Sequence, residues 1–248
     1  MKIEYDGTDF LGWQLQAEGR TVQGAVEQAV QKALGIQMRV PVHASGRTDT
    51  GVHAVGQVAH FDTDISRPPI TLVDALNHWL PDDVSILAAT RVSSSFHSRF
   101  SASRKLYRYR ILRSSVPHPL RERFTHRVYE DLHPSPMQLC AQRIIGTHNF
   151  ASFTSSGSSV QSTVRCIHLS EWRERGDELH YFVESNGFTY NMVRALVGTM
   201  IEAGRANLSP TDMERIILAR DRRYGGPTVS PKGLMLMHVE YDYDLTWD

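Results

Sequence analysis

Apolar residues recur with the helical period from Thr21 to Leu34. Val22, Ala25, Val26, Ala29, Val30, Ala33 and Leu34 fall on one face, Thr21 is placed to cap the start and Gly35 to end it. A second helix is expected over Thr71–Leu80, with Thr71 and Asp74 as a capping box and Leu72, Ala75, Leu76 and Trp79 on one face. Between and around these helices lie short runs with strand character: Met1–Tyr5, Met38–Ala44, Val55–Phe61 and Val84–Val92. The resulting order, β-α-β-β-α-β, is that of a ferredoxin-like unit. A serine-rich stretch from Ser93 to Ser103 marks the expected boundary, giving an N-terminal half at 1–103 and a C-terminal half at 104–248.

The second half repeats the order with one helix more. Strands are expected at Leu106–Leu112, at Val164–Trp172 with Leu179–Ser185 as an antiparallel pair around Gly176-Asp177, and at Leu234–Tyr241. Helices are expected at Met137–Ile145, at Asn191–Ala203 ending on Gly204, and after Ser209, where Pro210 and Asp212 supply the first-turn proline and capping acid. The fold class is therefore α+β: two ferredoxin-like halves around mainly antiparallel strands flanked by helices. No residue pattern repeats between the halves, so the duplication is one of topology. The Ser/Gly segment Ser152–Ser162 reads as a mobile surface loop.

Composition narrows the class. At 248 residues, 41% apolar and 22% charged, the chain is an ordinary globular protein that needs no metal or disulfide to fold. The best candidate for a membrane span, Met192–Ile201, is about half the necessary length and contains Arg194, and the first residues show no secretory h-region. Cys140 and Cys166 form no CxxC pair and read as two buried thiols in a reducing cytoplasm. A net charge of zero disfavours an indiscriminate nucleic-acid binder. It leaves room for a local basic surface: Arg99, Arg104, Lys105, Arg108, Arg110 and Arg113 lie in a run with no acidic residue, a pattern equally expected of a solvated strand face.

Several chemistries drop out. The twelve histidines include no HExxH, and Cys166 and His168 alone do not make a zinc site. There is no GxSxG elbow and no GxxxxGK[ST] or GxGxxG phosphate loop. What remains is Gly46-Arg47-Thr48-Asp49-Thr50-Gly51-Val52-His53, which puts a carboxylate and a guanidinium on a short connection between strands. Asp49 is placed to meet an electrophilic carbon and Arg47 a phosphate, although on chemistry alone a turn-forming Asp with an exposed Arg is the more frequent outcome. Leu106-Tyr107-Arg108-Tyr109-Arg110-Ile111 alternates, with its tyrosines on one strand face and its arginines on the other. Aromatic rings beside basic side chains suit unpaired bases, whereas for Tyr109 and Ile111 a place in the core is the favoured reading. Arg194 sits in an otherwise apolar helix, where a buried guanidinium needs a partner.

Gly46-Arg47-Thr48-Asp49-Thr50-Gly51-Val52-His53-Ala54, continuing through Gln57-Val58, closely resembles the signature of the TruA family of tRNA pseudouridine synthases. Further blocks agree in order: Tyr5-Asp6-Gly7-Thr8 with Phe10, Gly12, Trp13, Gln14 and Gln16; Phe96 through Ala102 leading to Tyr107-Arg108-Tyr109; Gly146 through Phe150 with Phe153; Asn186-Gly187-Phe188 through Met192-Val193-Arg194; and Lys232-Gly233-Leu234. Thr50 departs from the family's usual Ala and Asn149 from its common Asp. The resemblance implies a cytoplasmic homodimer without a cofactor or metal, isomerising uridine in the anticodon stem-loop of tRNA. It implies roles for Asp49 as catalytic carboxylate, Tyr107 against the target uracil, Arg194 as the partner of Asp49, and Arg47 in displacing the base. Arg99, Arg104 and Lys105 are the expected further RNA contacts. The rival readings are a non-catalytic tRNA-binding module on the same scaffold and a nucleoside hydrolase working through Asp49.

Overall fold

A computed structural model of the chain describes residues 1–157, 160–242 and 245–247. Two compact units emerge, residues 1–103 with 235–248, and residues 104–234. In the first, strand β1 (Lys2–Tyr5) precedes helix α1 (Val22–Leu34), followed by β2 (His43–Ala44), β3 (His53–His60), helix α2 (Pro69–Trp79) and β4 (Val84–Ala88). β1 runs antiparallel to both β3 and β4, and β2 antiparallel to β3. α1 follows the sequence pattern to its ends: Thr21 accepts from the Gly24 N–H at 3.2 Å, Gly35 closes the helix, and Val22, Val26, Ala29 and Val30 are buried.

The departures have local causes. Met38–Ala44 reduces to the two residues of β2. Pro41 lacks the ladder donor, and side chains of α1 take up the backbone instead: Glu27 accepts from the Val42 N–H at 3.0 Å, and Gln23 donates to its carbonyl at 3.2 Å. α2 starts two residues earlier than expected because Pro69 supplies the N1 position, leaving Thr71 and Asp74 unused as a capping box. Its buried face is Val73 and Leu76, while Trp79 lies exposed under the Lys32 ammonium. β4 stops at Ala88. The Asn77 side chain brackets Ile86, accepting from its N–H at 2.8 Å and donating to its carbonyl at 2.9 Å, which satisfies the strand's outer edge.

The second unit is built on β5 (Ala102–Arg113), β6 (His126–Val128), helix α3 (Pro134–Gln142), β7 (Gly146–Asn149), β8 (Val164–Arg175), β9 (Glu178–Ser185), helix α4 (Met192–Gly204) and helix α5 (Pro210–Ala219). β9 lies between β5 and β8, antiparallel to both; β7 flanks β8, and the short β6 runs parallel to β5. β6 and β7 are absent from the sequence expectation, and α3 begins at Pro134, again with proline in its first turn. The Ser209, Pro210, Asp212 capping box forms as expected. Alternation also holds on β5: Tyr107, Tyr109 and Ile111 are buried, with Arg108 and Arg110 half-exposed opposite.

The segment expected to be a mobile loop from Ser152 is anchored at its start. Ala151–Phe153 forms a short 3-10 turn with Ser152 and Phe153 fully buried, and the Ser152 hydroxyl donates to the Ile216 carbonyl at 2.6 Å. Ser158 and Ser159 lie outside the described residues. Cys140 is buried, its thiol pushed up to about 11 by burial, whereas Cys166 is half-exposed, against the expectation of two buried thiols. The last strand, β10 (Leu234–Tyr241), runs parallel to β3, with Met235 opposite His53 and Leu236 opposite Ala54. It completes the first unit and not the half it follows in sequence. No helix among the described residues is long and apolar enough to cross a membrane.

Candidate active site

The connection from β2 to β3 carries Asp49, and its shape is fixed from both sides. Ser45 donates its N–H to the Val58 carbonyl at 2.7 Å and its hydroxyl to Gln57 Oε1 at 2.7 Å, while Gln57 Nε2 donates to the Gly46 carbonyl at 2.9 Å. Gln57 is fully buried, so these bonds clamp the loop onset without exposure to water. Thr48 is held twice: its carbonyl accepts from the Trp13 N–H at 3.0 Å, and its hydroxyl pairs with that of Tyr5 at 2.8 Å. Burial pushes the Tyr5 phenol up to about 12, so it stays a neutral partner. Beyond Asp49 the Val52 N–H donates to the Asp49 carbonyl at 3.1 Å, closing a four-residue turn, and Gly51 donates to the Phe10 carbonyl at 3.3 Å.

Gly12 makes this packing possible. Its φ is +90°, and a Cβ there would stand 2.6 Å from the Thr48 carbonyl oxygen. With Thr48 and the Asp49 carbonyl fixed, the half-buried Asp49 side chain leaves a rigid backbone in a set direction. Arg47, on the same loop, is exposed. The Asp49 carbonyl closes the turn, so the turn-forming reading of this residue fits the loop.

In the second unit Tyr107 is buried on β5, with Phe188 edge-on to its ring at 5.1 Å between centroids. Arg194 lies in the first turn of α4 and is half-buried. Its Nε donates to the Val229 carbonyl at 2.7 Å and its Nη1 to Asn191 Oδ1 at 2.7 Å. Asn191 stands at the helix cap with φ +60° and gives its side chain to Arg194 instead of to the helix. The neighbouring Ser230 carbonyl accepts from the Tyr109 hydroxyl at 2.8 Å, so strand β5 and helix α4 grip adjacent carbonyls of one segment. That segment rides close on α4: a Cβ at Gly198 would fall 1.9 Å from the Pro227 carbonyl oxygen. Burial raises the Tyr109 phenol well above its ordinary range, leaving it neutral as a donor.

Much of the basic run is neutralised by acids distant in sequence. Arg104 pairs with Glu184 at 3.3 Å, Arg110 with Glu178 at 2.8 Å and Arg113 with Glu174 at 3.2 Å. Lys105 is half-buried on β5, and Arg99 is exposed, its guanidinium beside the Phe100 ring. Asp49, Arg47 and Arg99 therefore belong to the first unit, and Tyr107, Arg194, Arg104 and Lys105 to the second. Reading the residues did not single out Gln57, Tyr5 or Asn191 as supports. Gln57 offered one signal, an amide amid the apolar residues of a strand otherwise suited to burial. No group of three or more His, Cys, Asp or Glu among the described residues is arranged to hold a metal ion.

A family model described as tRNA pseudouridine synthase matches residues 1–101 and 140–242. Among curated relatives, the tRNA pseudouridine synthase A of Bacillus licheniformis is 42% identical over 97% of this chain and 97% of its own. That of Halalkalibacterium halodurans is 45% identical over 95% of this chain and 89% of its own. That of Bacillus subtilis is 40% identical over 97% of each.

Proposed function

The chain belongs to the tRNA pseudouridine synthase family and is an isomerase of uridine in tRNA, and from that premise we propose that Asp49 is its catalytic carboxylate, acting on uridines of the anticodon stem-loop. The observation that supports this most directly is the bracing of the Asp49 loop. Backbone and side-chain bonds fix the residues on either side of one half-buried carboxylate, which is the preorganisation a carboxylate needs to meet a reacting carbon.

The reaction breaks the bond from ribose C1′ to uracil N1, turns the base and joins C1′ to C5. N1 gains a proton from solvent and C5 loses one, so no redox partner or energy donor enters. Asp49 serves this by meeting electron-poor C1′, as carboxylates do in glycoside chemistry, or by acting on the uracil ring or the ribose C2′ proton. In this reading Arg194 pairs with Asp49 and favours its ionised form; within its own unit Arg194 is held by Asn191 and the Val229 carbonyl. Tyr107 lies against the uracil, Arg47 fills the space the displaced base leaves, and Arg99, Arg104 and Lys105 contact RNA. Unstacking the base costs a few kcal/mol, offset by these contacts. A cytoplasmic homodimer completes the assignment.

Tritium release from tRNA transcribed with 5-tritiated uridine tests it, because forming the C1′–C5 bond expels the C5 hydrogen. Wild type should release tritium, and Asp49→Asn should bind tRNA within about threefold while losing at least about a thousandfold in turnover. Turnover by Asp49→Asn near the wild-type rate would end the assignment. RNA modified only outside the anticodon stem-loop, mapped by chemical sequencing, would end the choice of target.

A further inference from the structure

The turn from Phe96 to Ser101 presents an aromatic ring to solvent on an unusually firm base. Phe100 is 77% exposed. Behind it the His97 ring stacks at 4.4 Å between centroids with a 37° tilt, and the Arg99 guanidinium sits 5.6 Å from the ring centre. A lone exposed phenylalanine on a loop is ordinary, but this one is held in place. His97 Nδ1 accepts from the Arg99 N–H at 3.1 Å and the Phe100 N–H at 3.4 Å. The turn is closed by the Ser101 N–H donating to the His97 carbonyl at 2.9 Å. Burial, together with His43 and Arg99, lowers the His97 pKa, so the ring stays neutral and Nδ1 stays an acceptor. The turn is then tied to the sheet: fully buried Ser98 donates to the His43 carbonyl at 2.5 Å, and its N–H donates to His60 Nδ1 at 3.2 Å. Among the described residues Arg99 has no carboxylate partner, unlike Arg104, Arg110 and Arg113.

A preorganised ring beside an unneutralised guanidinium has the chemistry that recognises a splayed-out nucleobase and its phosphate. We infer that Phe100, backed by His97 and flanked by Arg99, is a stacking platform for an unpaired base of the tRNA substrate, distinct from the uridine that reacts. The inference rests on the proposed function for the identity of the RNA. The platform is anchored at His43 on β2, six residues before Asp49, and an extended chain of that length reaches at most about 20 Å. The stacked base is therefore within a few nucleotides of the target.

The test is binding of full-length tRNA to the intact protein, read by fluorescence anisotropy, with single 2-aminopurine substitutions at the unpaired positions near the target. Phe100→Ala and Phe100→Leu should each weaken binding roughly 5- to 100-fold and raise KM with kcat at saturation unchanged, whereas Phe100→Trp should bind as wild type. One 2-aminopurine position should be quenched by wild type and not by Phe100→Ala. Arg99→Gln should lower the slope of log affinity against log salt by about one. Binding by Phe100→Ala equal to wild type would refute the platform; so would full rescue by leucine, which would mark an apolar contact, or a change in sedimentation, which would mark a protein interface. If wild type releases no tritium while Phe100-dependent quenching persists, the synthase assignment fails and the platform stands.

Discussion

The Asp49 loop and the β8–β9 hairpin are both held by dense polar networks, but of opposite kinds. Around Asp49 the bracing groups are neutral: the Gln57 amide, the Tyr5 and Thr48 hydroxyls, and backbone N–H groups. At the hairpin the principal ones are charged. Glu178 accepts from Arg110 at 2.8 Å, from His180 at 2.7 Å and from Arg121, which also pairs with Asp177 at 2.7 Å. These neutral bonds fix the backbone on either side of Asp49 without adding a charge of their own. Charged bonds fix a hairpin strongly and use up the cations of β5 in doing so. The proposed reactive site and a structural joint thus rest on different kinds of polar bond.

Three perturbations separate the two, in falling order of effect. Gly12→Ala puts a Cβ against the Thr48 carbonyl at a backbone angle alanine disfavours. Turnover should fall on the order of a hundredfold and stability by about 1–3 kcal/mol, measured by tritium release and urea unfolding; a wild-type rate would show that the neutral bracing is dispensable. Glu178→Gln should cost roughly 2–3 kcal/mol of stability with kcat unchanged, since it leaves two guanidinium groups facing a neutral amide. Its pH signature is specific. Burial alone would raise the Glu178 carboxyl, but Arg110, Arg121 and His180 outweigh it and hold it at about 2, below the ordinary 4.5. A depressed carboxylate stabilises fully above its unfolded value. The difference between wild type and variant should therefore be constant above pH 4.5 and shrink as pH falls toward 2. A gap that widened on acidification would refute the hub. Smallest is Arg104→Gln, which breaks an exposed pair and should change stability by less than about 0.5 kcal/mol. If Arg104 contacts phosphate, the variant should also lower the salt slope of tRNA binding by about one.

What the sequence made legible follows from how far each signal reaches. Helix ends written within four residues, such as Thr21 to Gly24 and Ser209 to Asp212, form as read. Where a competing partner lies elsewhere, local pattern fails: Met38–Ala44 loses most of its strand to Glu27 and Gln23 of the preceding helix, and Ser152 is buried by Ile216 and Asp221. Charge was the least legible property. The run from Arg99 to Arg113 is uniformly basic in sequence, yet Glu174, Glu178 and Glu184 arrive opposite it across the β5–β9 pairing and the β8–β9 hairpin. At the Asp49 loop, local chemistry weighed toward a turn. Only the resemblance singled the residue out, because the groups that brace it, Tyr5, Trp13 and Gln57, belong to two other stretches of chain.

The strand paired with β3 comes from residues made about 180 positions later, Met235 opposite His53. Pairings so remote in sequence are slow to find. On a ribosome adding about 5–20 residues each second, the strand beside the Asp49 loop spends roughly 10–35 s without its last neighbour. Truncated chains therefore cannot complete the first unit, and the region that carries the proposed chemistry is among the last parts of the molecule to be finished.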